Sequence, residues 1–134
     1  MHDTILRVRY SETDQMGYCY HGNYAQYFEV GRVEALRELG VSYKKMEEQG
    51  VMLPVMNLAI HYKFPAKYDD ALTISTKISE LEGARLHFDY IVTNEQKQLI
   101  ATATVTLVFV KKETMRPSSP PTSFIELLKP YEQH

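Results

Sequence analysis

A single long helical pattern among strands constrains the fold of this chain more than any other sequence feature. From Tyr24 to Leu39, apolar residues recur at three- and four-residue steps, which is the period of an α-helix. Val30, Val33 and Leu36 widen the apolar arc, so we expect this helix to be buried on more than one side. A lone helix of this kind needs the apolar face of a sheet to cover it.

Most of the remaining chain alternates with the two-residue period of half-buried strands. One such pattern precedes the helix at residues 4–10, and four follow it at residues 57–64, 72–78, 86–92 and 99–110. Because short connections join the last four strands, we expect these strands to be antiparallel neighbours. Short helices are predicted at residues 42–50 and from about Thr122 to Lys129. The sequence therefore predicts an α+β fold in which about five antiparallel strands wrap a long central helix.

Local signals mark the ends and one face of the central helix. Asn23 is predicted to cap its start, and Gly40 is predicted to end it. Gly31 and Ala35 lie one turn apart, and residues this small predict that another element packs closely against the helix.

Composition limits the class of protein. The 134 residues suffice for one domain, and we interpret residues 1–134 as a single one. The net charge of −2 lacks the basic excess of a general nucleic-acid binder. Cys19 is the only cysteine, which excludes an internal disulfide and a cysteine-based zinc cage. With no apolar run of about 20 residues for a membrane span and no signal-peptide pattern, we expect a cytoplasmic protein.

The segment from Tyr10 to Tyr24 holds the residues best suited to chemistry. It is predicted as a loop between the first strand and the central helix, and it contains Asp14, Gly17 and His21. Amide groups at a helix start can polarise a carbonyl oxygen and stabilise the oxyanion that forms from it. Asp14 can attack as a nucleophile or activate water, and His21 can relay a proton or orient a water molecule. The segment therefore predicts an acyl-transfer site.

The pattern in this segment resembles the 4-hydroxybenzoyl-CoA thioesterase family, and most of all its bacterial acyl-CoA thioesterase branch, similar to the enzymes associated with the tol-pal cluster. The matching residues are Tyr10, Asp14, Gly17, His21, Asn23, Tyr24, Tyr27, Glu29 and Arg32, and residues 62–70 are also similar. The resemblance implies a hot-dog fold, in which the sheet wraps the helix. It also implies hydrolysis of an acyl-CoA thioester to a free acid and CoA, with no metal and no cofactor besides the CoA of the substrate.

The same resemblance implies roles for individual residues. Asp14 corresponds to the essential carboxylate, and the Tyr24 amide corresponds to the group that contacts the thioester carbonyl. Tyr10 and His21 correspond to further active-site residues. The expected substrate-binding residues are Gly17, Tyr18 and Asn23, with Lys63 and Arg85 as basic candidates for the CoA phosphates. Members of the family form dimers whose sheets join edge to edge, often assembled into tetramers, so we expect a homodimer or homotetramer with active sites at the subunit interface.

The sequence departs from the family pattern at a few positions. Aromatic or sulfur-containing residues replace small aliphatic ones at Tyr18, Cys19 and Tyr20. Glu12 stands where a second aspartate is common, and we expect this change to be mild. Glu29 and Arg32 are three residues apart, so they can pair across one turn of the helix.

Several alternatives stay open at this point. Asp14 either attacks the thioester directly or activates water. The acyl group can be short, medium, long or aromatic, and the choice between dimer and tetramer is not fixed. The alternative functions are a non-catalytic acyl-CoA-binding module and a hot-dog hydratase or dehydratase that acts on acyl thioesters.

Overall fold

A five-stranded sheet wraps around one long helix in residues 1–129, the part of the chain that the computed structural model describes. Within these residues the strands are β1 (His2–Arg7), β2 (Val51–Met52), β3 (Val55–Tyr62), β4 (Ala71–Glu82), β5 (Arg85–Thr93), β6 (Leu99–Val108) and β7 (Val110–Lys111). The α-helices are α1 (Tyr24–Glu38), α2 (Tyr43–Glu48) and α3 (Thr122–Leu128). The predicted α+β architecture is confirmed.

The strands of the main sheet lie in the order β1-β4-β5-β6-β3, and every neighbouring pair is antiparallel. The consecutive hairpins β4-β5-β6 agree with the predicted pairing. The prediction that β3 neighbours β4 is wrong, because β3 pairs with β6 instead. The connection at residues 63–70 is long enough to carry the chain across one end of the sheet. Strand β3 therefore forms one edge of the sheet, and β1 forms the other.

All five strands share one end at which the connecting loops gather, and we call it the loop end. Strands β1, β3 and β5 finish there, and β4 and β6 begin there. Backbone hydrogen bonds join the loops to one another, from Val8 N to Asp70 O at 3.0 Å and from Cys19 N to Ala66 O at 2.7 Å. The loop end is thus a connected surface built from segments that are distant in sequence.

Helix α1 crosses the sheet closely at Gly31. A Cβ atom at this position would lie 2.6 Å from Thr76 Oγ1 and 3.0 Å from Ile74 Cγ2 of β4, so only glycine fits without movement. The predicted close approach is therefore confirmed. Phe28, one turn earlier, packs its ring 4.6 Å from the ring of Tyr90 on β5.

The ends of α1 match the prediction only in part. Gly40 has a φ of +95°, which suits the residue that follows a helix. Asn23 has helical backbone angles and makes no capping bond within residues 1–129, so its predicted role as a cap is wrong.

Val30 is 38% exposed, so one flank of the helix is open in the protomer, contrary to the expected burial. None of the described helices is long and apolar enough to cross a membrane.

Candidate active site

Asp14 lies in a small hairpin formed by residues 13–19. Its amide donates to the Tyr18 carbonyl oxygen at 2.9 Å, and Gly17 closes the turn with a φ of +79°. The Asp14 Oδ1 atom accepts hydrogen bonds from the amides of Met16 at 2.9 Å and Tyr18 at 3.3 Å. These hydrogen bonds within its own turn fix the orientation of the carboxylate. Because the residue is only half-buried, the carboxylate stays accessible from solution.

Glu12 connects the Asp14 hairpin to the central helix, and sequence analysis missed this role. The side chain is only 7% exposed. Its Oε1 accepts from the Tyr27 hydroxyl of α1 and from the Arg9 amide, both at 2.9 Å. Burial alone would raise the pKa of this carboxyl, but the hydrogen bonds from Arg9 and Tyr27 hold the pKa below its ordinary value. A charged residue in a loop is usually exposed, so no sequence signal pointed to this buried carboxylate.

The backbone of Glu12 holds the start of the helix as well. Its carbonyl oxygen accepts from the Asn23 side-chain amide at 2.8 Å and from the Tyr20 amide at 2.7 Å. Asn23, a predicted substrate-binding residue, therefore uses its side chain to tie the loop to the helix.

The helical run begins three residues earlier than predicted, at His21 instead of Tyr24. The backbone amides without a helical acceptor are therefore those of the earlier residues. His21–Asn23 forms a 3₁₀ turn that continues directly into α1. The Tyr24 amide donates to the His21 carbonyl oxygen inside this run, and its predicted contact with a thioester carbonyl stays a prediction. The amides of His21 and Gly22 open the helical run, and neither has an acceptor within residues 1–129.

Three aromatic side chains lie at the start of the helical run. The exposed His21 ring lies 4.4 Å from the Tyr20 ring and 6.4 Å from the Tyr62 ring. The Tyr62 hydroxyl donates to the His21 carbonyl oxygen at 3.2 Å. A Cβ atom at Gly22 would lie 2.6 Å from Tyr20 Cε2, so glycine lets this ring pack against the turn. The exposed start of the helical run therefore lies beside the rings of Tyr20, His21 and Tyr62.

The other predicted site residues are only partly brought together. Tyr10 begins a short 3₁₀ turn after β1, and its side chain is 78% exposed. Tyr18 is half-buried and pairs with Lys67 through the backbone. Lys63 is exposed and directly follows β3 at the loop end.

Arg85 is separated from the loop end within one protomer. It begins β5 at the opposite end of the sheet, where it pairs with Val108 of β6, so one protomer does not bring it close to Asp14. Its predicted contact with the CoA phosphates stays a prediction. Cys19 is buried, and burial raises the pKa of its thiol, which argues against a nucleophile at this position.

One group of side chains in the described residues could hold a metal ion. The potential ligand atoms of Glu80, Glu82 and His87 all lie within 4.8 Å of one another. His87 also contacts Thr106 Oγ1 through its Nδ1 atom at 2.9 Å. The group lies on β4 and β5 toward the end opposite the loops, so it is separate from Asp14 and the free amides.

A sheet wrapped around one helix, with a fixed carboxylate and free helix-start amides at one end, defines the class of hot-dog thioesterases. The family model described as the thioesterase-like superfamily matches residues 8–128. The chain belongs to this superfamily, and we class it as a thioester hydrolase.

Relatives and solved structures agree with this assignment. The acyl-CoA thioester hydrolase YbgC of Escherichia coli is 32% identical over 124 residues, which cover 92% of each chain. The acyl-CoA thioesterase YbgC of Haemophilus influenzae is 37% identical over 113 residues, or 84% of this chain and 82% of the relative. The structure of a DHNA-CoA thioesterase from Staphylococcus aureus has a TM-score of 0.90 at 34% identity, covering 98% of this chain and 88% of that one. The hot-dog fold and the family resemblance predicted from the motif are confirmed.

Proposed function

We propose that this protein hydrolyses acyl-CoA thioesters to a free acid and CoA at the loop end of the sheet. The observation that carries this proposal is the pair of free amides at His21 and Gly22, which belong to the same connected surface as the Asp14 hairpin. The names of the YbgC relatives support acyl-CoA as the substrate.

In the proposed mechanism, the thioester carbonyl oxygen accepts hydrogen bonds from the free amides, which then stabilise the oxyanion. Asp14 attacks the carbonyl carbon, the C–S bond breaks, and water hydrolyses the resulting anhydride. Alternatively, Asp14 takes a proton from water, and the water oxygen attacks the same carbon. In both routes the CoA thiolate leaves and takes up a proton, for which the exposed His21 imidazole is our proposed donor.

Labelled water separates the two routes. A single turnover in oxygen-18-labelled water should introduce label into Asp14 only if the carboxylate forms the anhydride. Label found in Asp14 by mass spectrometry would rule out the simple general-base route.

The other residues keep narrower proposed roles. Gly17 closes the turn that orients Asp14, and Tyr18 supplies an amide to that carboxylate. Lys63 is proposed to contact the CoA phosphates, since it is an exposed cation at the loop end. We propose that Tyr10, which packs edge-on against Tyr68 at a ring distance of 5.7 Å, forms an outer wall for the substrate.

The assay that tests this proposal is release of free CoA thiol from a panel of acyl-CoAs. Asp14→Asn should reduce kcat by about 10²–10⁴-fold, because it removes the charge and the basicity of the carboxylate. The new side chain can still accept from the amides of Met16 and Tyr18, so the turn should persist. Asp3→Asn, at an exposed position of β1, is the matched control and should leave the rate unchanged.

The same panel decides between the alternative functions. Binding of acyl-CoA without any hydrolysis would favour the non-catalytic module. Addition or loss of water at the acyl chain, with the thioester intact, would favour a hydratase or dehydratase. Either result would contradict the hydrolase proposal.

We also propose that the protein forms a homodimer in which the two sheets join through β3. The active sites would lie at the interface between the two subunits. A homotetramer would then consist of two such dimers. Support comes from the edge position of β3 and from its exposed apolar side chains, with Val55 48% and Met56 51% exposed. An edge strand of this kind is normally covered.

The interpretation of residues 1–134 as one domain and the cytoplasmic location stay predictions.

A further inference from the structure

A single hydroxyl group of α1 contacts both ends of the Asp14 hairpin. The Tyr27 oxygen lies 2.9 Å from Oε1 of Glu12, directly before the hairpin, and 3.3 Å from Sγ of Cys19, at its end. Thr13 and Cys19 pair with each other across the base of the hairpin. The Tyr27 side chain is therefore in contact with the two points at which the chain enters and leaves the hairpin.

Burial and hydrogen bonding keep the Tyr27 hydroxyl protonated. The residue is only 4% exposed, and burial, together with its contacts to Cys19 and Glu12, raises the pKa of the phenol. The hydroxyl donates to the Glu12 carboxylate, whose pKa stays below its ordinary value because its hydrogen bonds outweigh its burial. The phenol oxygen can then accept from the Cys19 thiol, whose pKa is raised by burial. Thiol, phenol and carboxylate thus form one directed chain of hydrogen bonds.

The two ends of the hairpin are held differently. At its entry, the Asn23 side chain also binds the Glu12 carbonyl oxygen at 2.8 Å, which gives the entry a second tie to the helical run. At its exit, the Cys19 thiol is joined to α1 through the Tyr27 hydroxyl. Loss of this hydroxyl should therefore free the exit of the hairpin more than its entry.

The backbone of Tyr27 has a fixed position relative to the free amides of the proposed site. His21 and Gly22 open the same helical run, so helix geometry sets where their amides lie with respect to Tyr27. The Asp14 carboxylate is fixed within its own hairpin. Contacts between the hairpin and the helix therefore decide the distance between the carboxylate and the amides.

We propose that Tyr27 is a positioning residue, whose hydroxyl sets the spacing between the Asp14 carboxylate and the free amides at the helix start. The inference rests on the proposed acyl-CoA hydrolysis, in which one thioester carbonyl must reach both groups at once. A small displacement of a reacting group lowers the rate strongly even where the substrate still binds. The phenol acts through its two partners in the loop and takes no part in the bond-making steps.

Tyr27→Phe tests this inference, because it keeps the ring and removes the hydroxyl. We expect kcat for acyl-CoA hydrolysis to fall by about ten- to hundredfold, with KM nearly unchanged. Tyr90→Phe is the matched control, since the Tyr90 hydroxyl is also buried and has no hydrogen-bond partner within residues 1–129. Its kcat should equal that of the wild type. An unchanged kcat in Tyr27→Phe, or an equal loss in Tyr90→Phe, would overturn the inference.

Substitutions at Cys19 separate positioning from stability, and they also serve if Tyr27→Phe does not fold. Cys19→Ala removes the donor to the Tyr27 oxygen, whereas Cys19→Ser keeps a donor at the same position. We expect kcat to fall by about two- to tenfold in Cys19→Ala and to return towards the wild-type value in Cys19→Ser. A purely structural role would change the melting temperatures and leave kcat as it is while both variants are folded. Equal kcat values for the two variants would contradict the inference.

Hydrogen exchange measured by NMR tests the inference without relying on catalysis. The amides of Asp14 and Tyr18 are hydrogen-bonded inside the hairpin, so their exchange reports its opening. In Tyr27→Phe these amides should exchange about tenfold faster, relative to amides in the centre of β5, than in the wild type. If the wild type hydrolyses no acyl-CoA, the proposed function fails, and this comparison still decides the inference. Equal exchange in the two proteins would overturn it.

Discussion

At the scale of single residues, the buried carboxylate of Glu12 determines how the Asp14 hairpin is held against α1. One carboxylate oxygen accepts from both the Arg9 amide and the Tyr27 hydroxyl, which belong to different elements. Loss of the charge would leave these donors with a weaker acceptor inside the protein. Glu12 is therefore a positioning residue, which holds the loop that carries Asp14 against α1.

We expect Glu12→Gln to lower the free energy of unfolding at neutral pH by about 1.5–3 kcal/mol, the range for hydrogen bonds to a charged group. Because the pKa of Glu12 is depressed in the folded protein, its contribution is fully present above the ordinary value of 4.5. The contribution is lost as pH falls through the lower folded value, so wild type and variant should converge in acid. Urea denaturation across this pH range measures the difference.

The control for this prediction is Glu34→Gln, which removes a more exposed partner of Arg37 on the surface of α1. Surface ion pairs contribute about 0–1 kcal/mol, so this change should have little effect. Equal losses in the two variants at neutral pH would contradict the role of Glu12.

A second residue-scale prediction separates the His21 amide from the His21 side chain. His21→Ala removes only the imidazole, whereas His21→Pro also removes the amide donor. Tyr20 has φ −63° and ψ 132°, a conformation suited to the residue before proline, and proline is favoured at a first helical position. We expect kcat of His21→Pro to be about 10²-fold lower than that of His21→Ala, as for loss of one oxyanion donor.

Melting temperatures of the two His21 variants should agree, which would show that the turn is intact. Equal kcat values for the two would mean that this amide does not stabilise the oxyanion.

The sequence located part of the candidate site and missed the rest for physical reasons. Asp14 and His21 share one loop with the helix start, so local spacing was enough to place them together. Glu12 was underestimated because its burial depends on Tyr27, which is 15 residues further on. Only the strand directions show that Arg85 lies at the other end of the sheet from Asp14.

At the scale of elements, the contact between α1 and β4 depends on the absence of a side chain at Gly31. Gly31→Ala would place a methyl group 2.6 Å from Thr76 Oγ1. Overpacking of this kind costs about 1–3 kcal/mol, which exceeds the gain of about 1 kcal/mol in helix propensity. We expect a net loss of stability in chemical denaturation.

The partner variant for this prediction is Thr76→Ala, which removes the nearest atom. The loss caused by Gly31→Ala should be smaller in the Thr76→Ala background. Additive losses would show that the crowding at Thr76 is not the cause.

The types of the helices and strands agree with the sequence prediction, but one strand pairing and one helix boundary do not. Apolar periodicity was sufficient for α1 and for the β4-β5-β6 hairpins, since both depend on neighbours in sequence. The residues of β3 and β6 that pair are 39 to 52 positions apart, and this pairing has no local signal. Asn23 resembled a cap because its residue type is common there, but the preceding 3₁₀ turn extends the helical run.

At the scale of the whole molecule, the uncovered edge of β3 predicts self-association. Met56→Lys places a charge on this edge, which should disfavour pairing with a second copy. We expect the variant to shift from dimer to monomer in light scattering and to lose activity in parallel, since the sites are proposed to lie at the interface. Met115→Lys changes another exposed methionine, outside β3, and should keep the assembly. A monomeric wild type would contradict the proposed dimer.

The long connection across the loop end has a consequence for the order of folding. Within residues 1–129, strand β1 pairs only with β4, and the Asp14 hairpin is joined to the 63–70 connection through Tyr18 and Lys67. During synthesis, the first 20 residues therefore have no native partner in the sheet until about 50 more have left the ribosome. Contacts between such distant segments form slowly because a long loop must close first. The carboxylate loop is thus among the earliest segments to be made, but its contacts with the sheet form only after β4 is available.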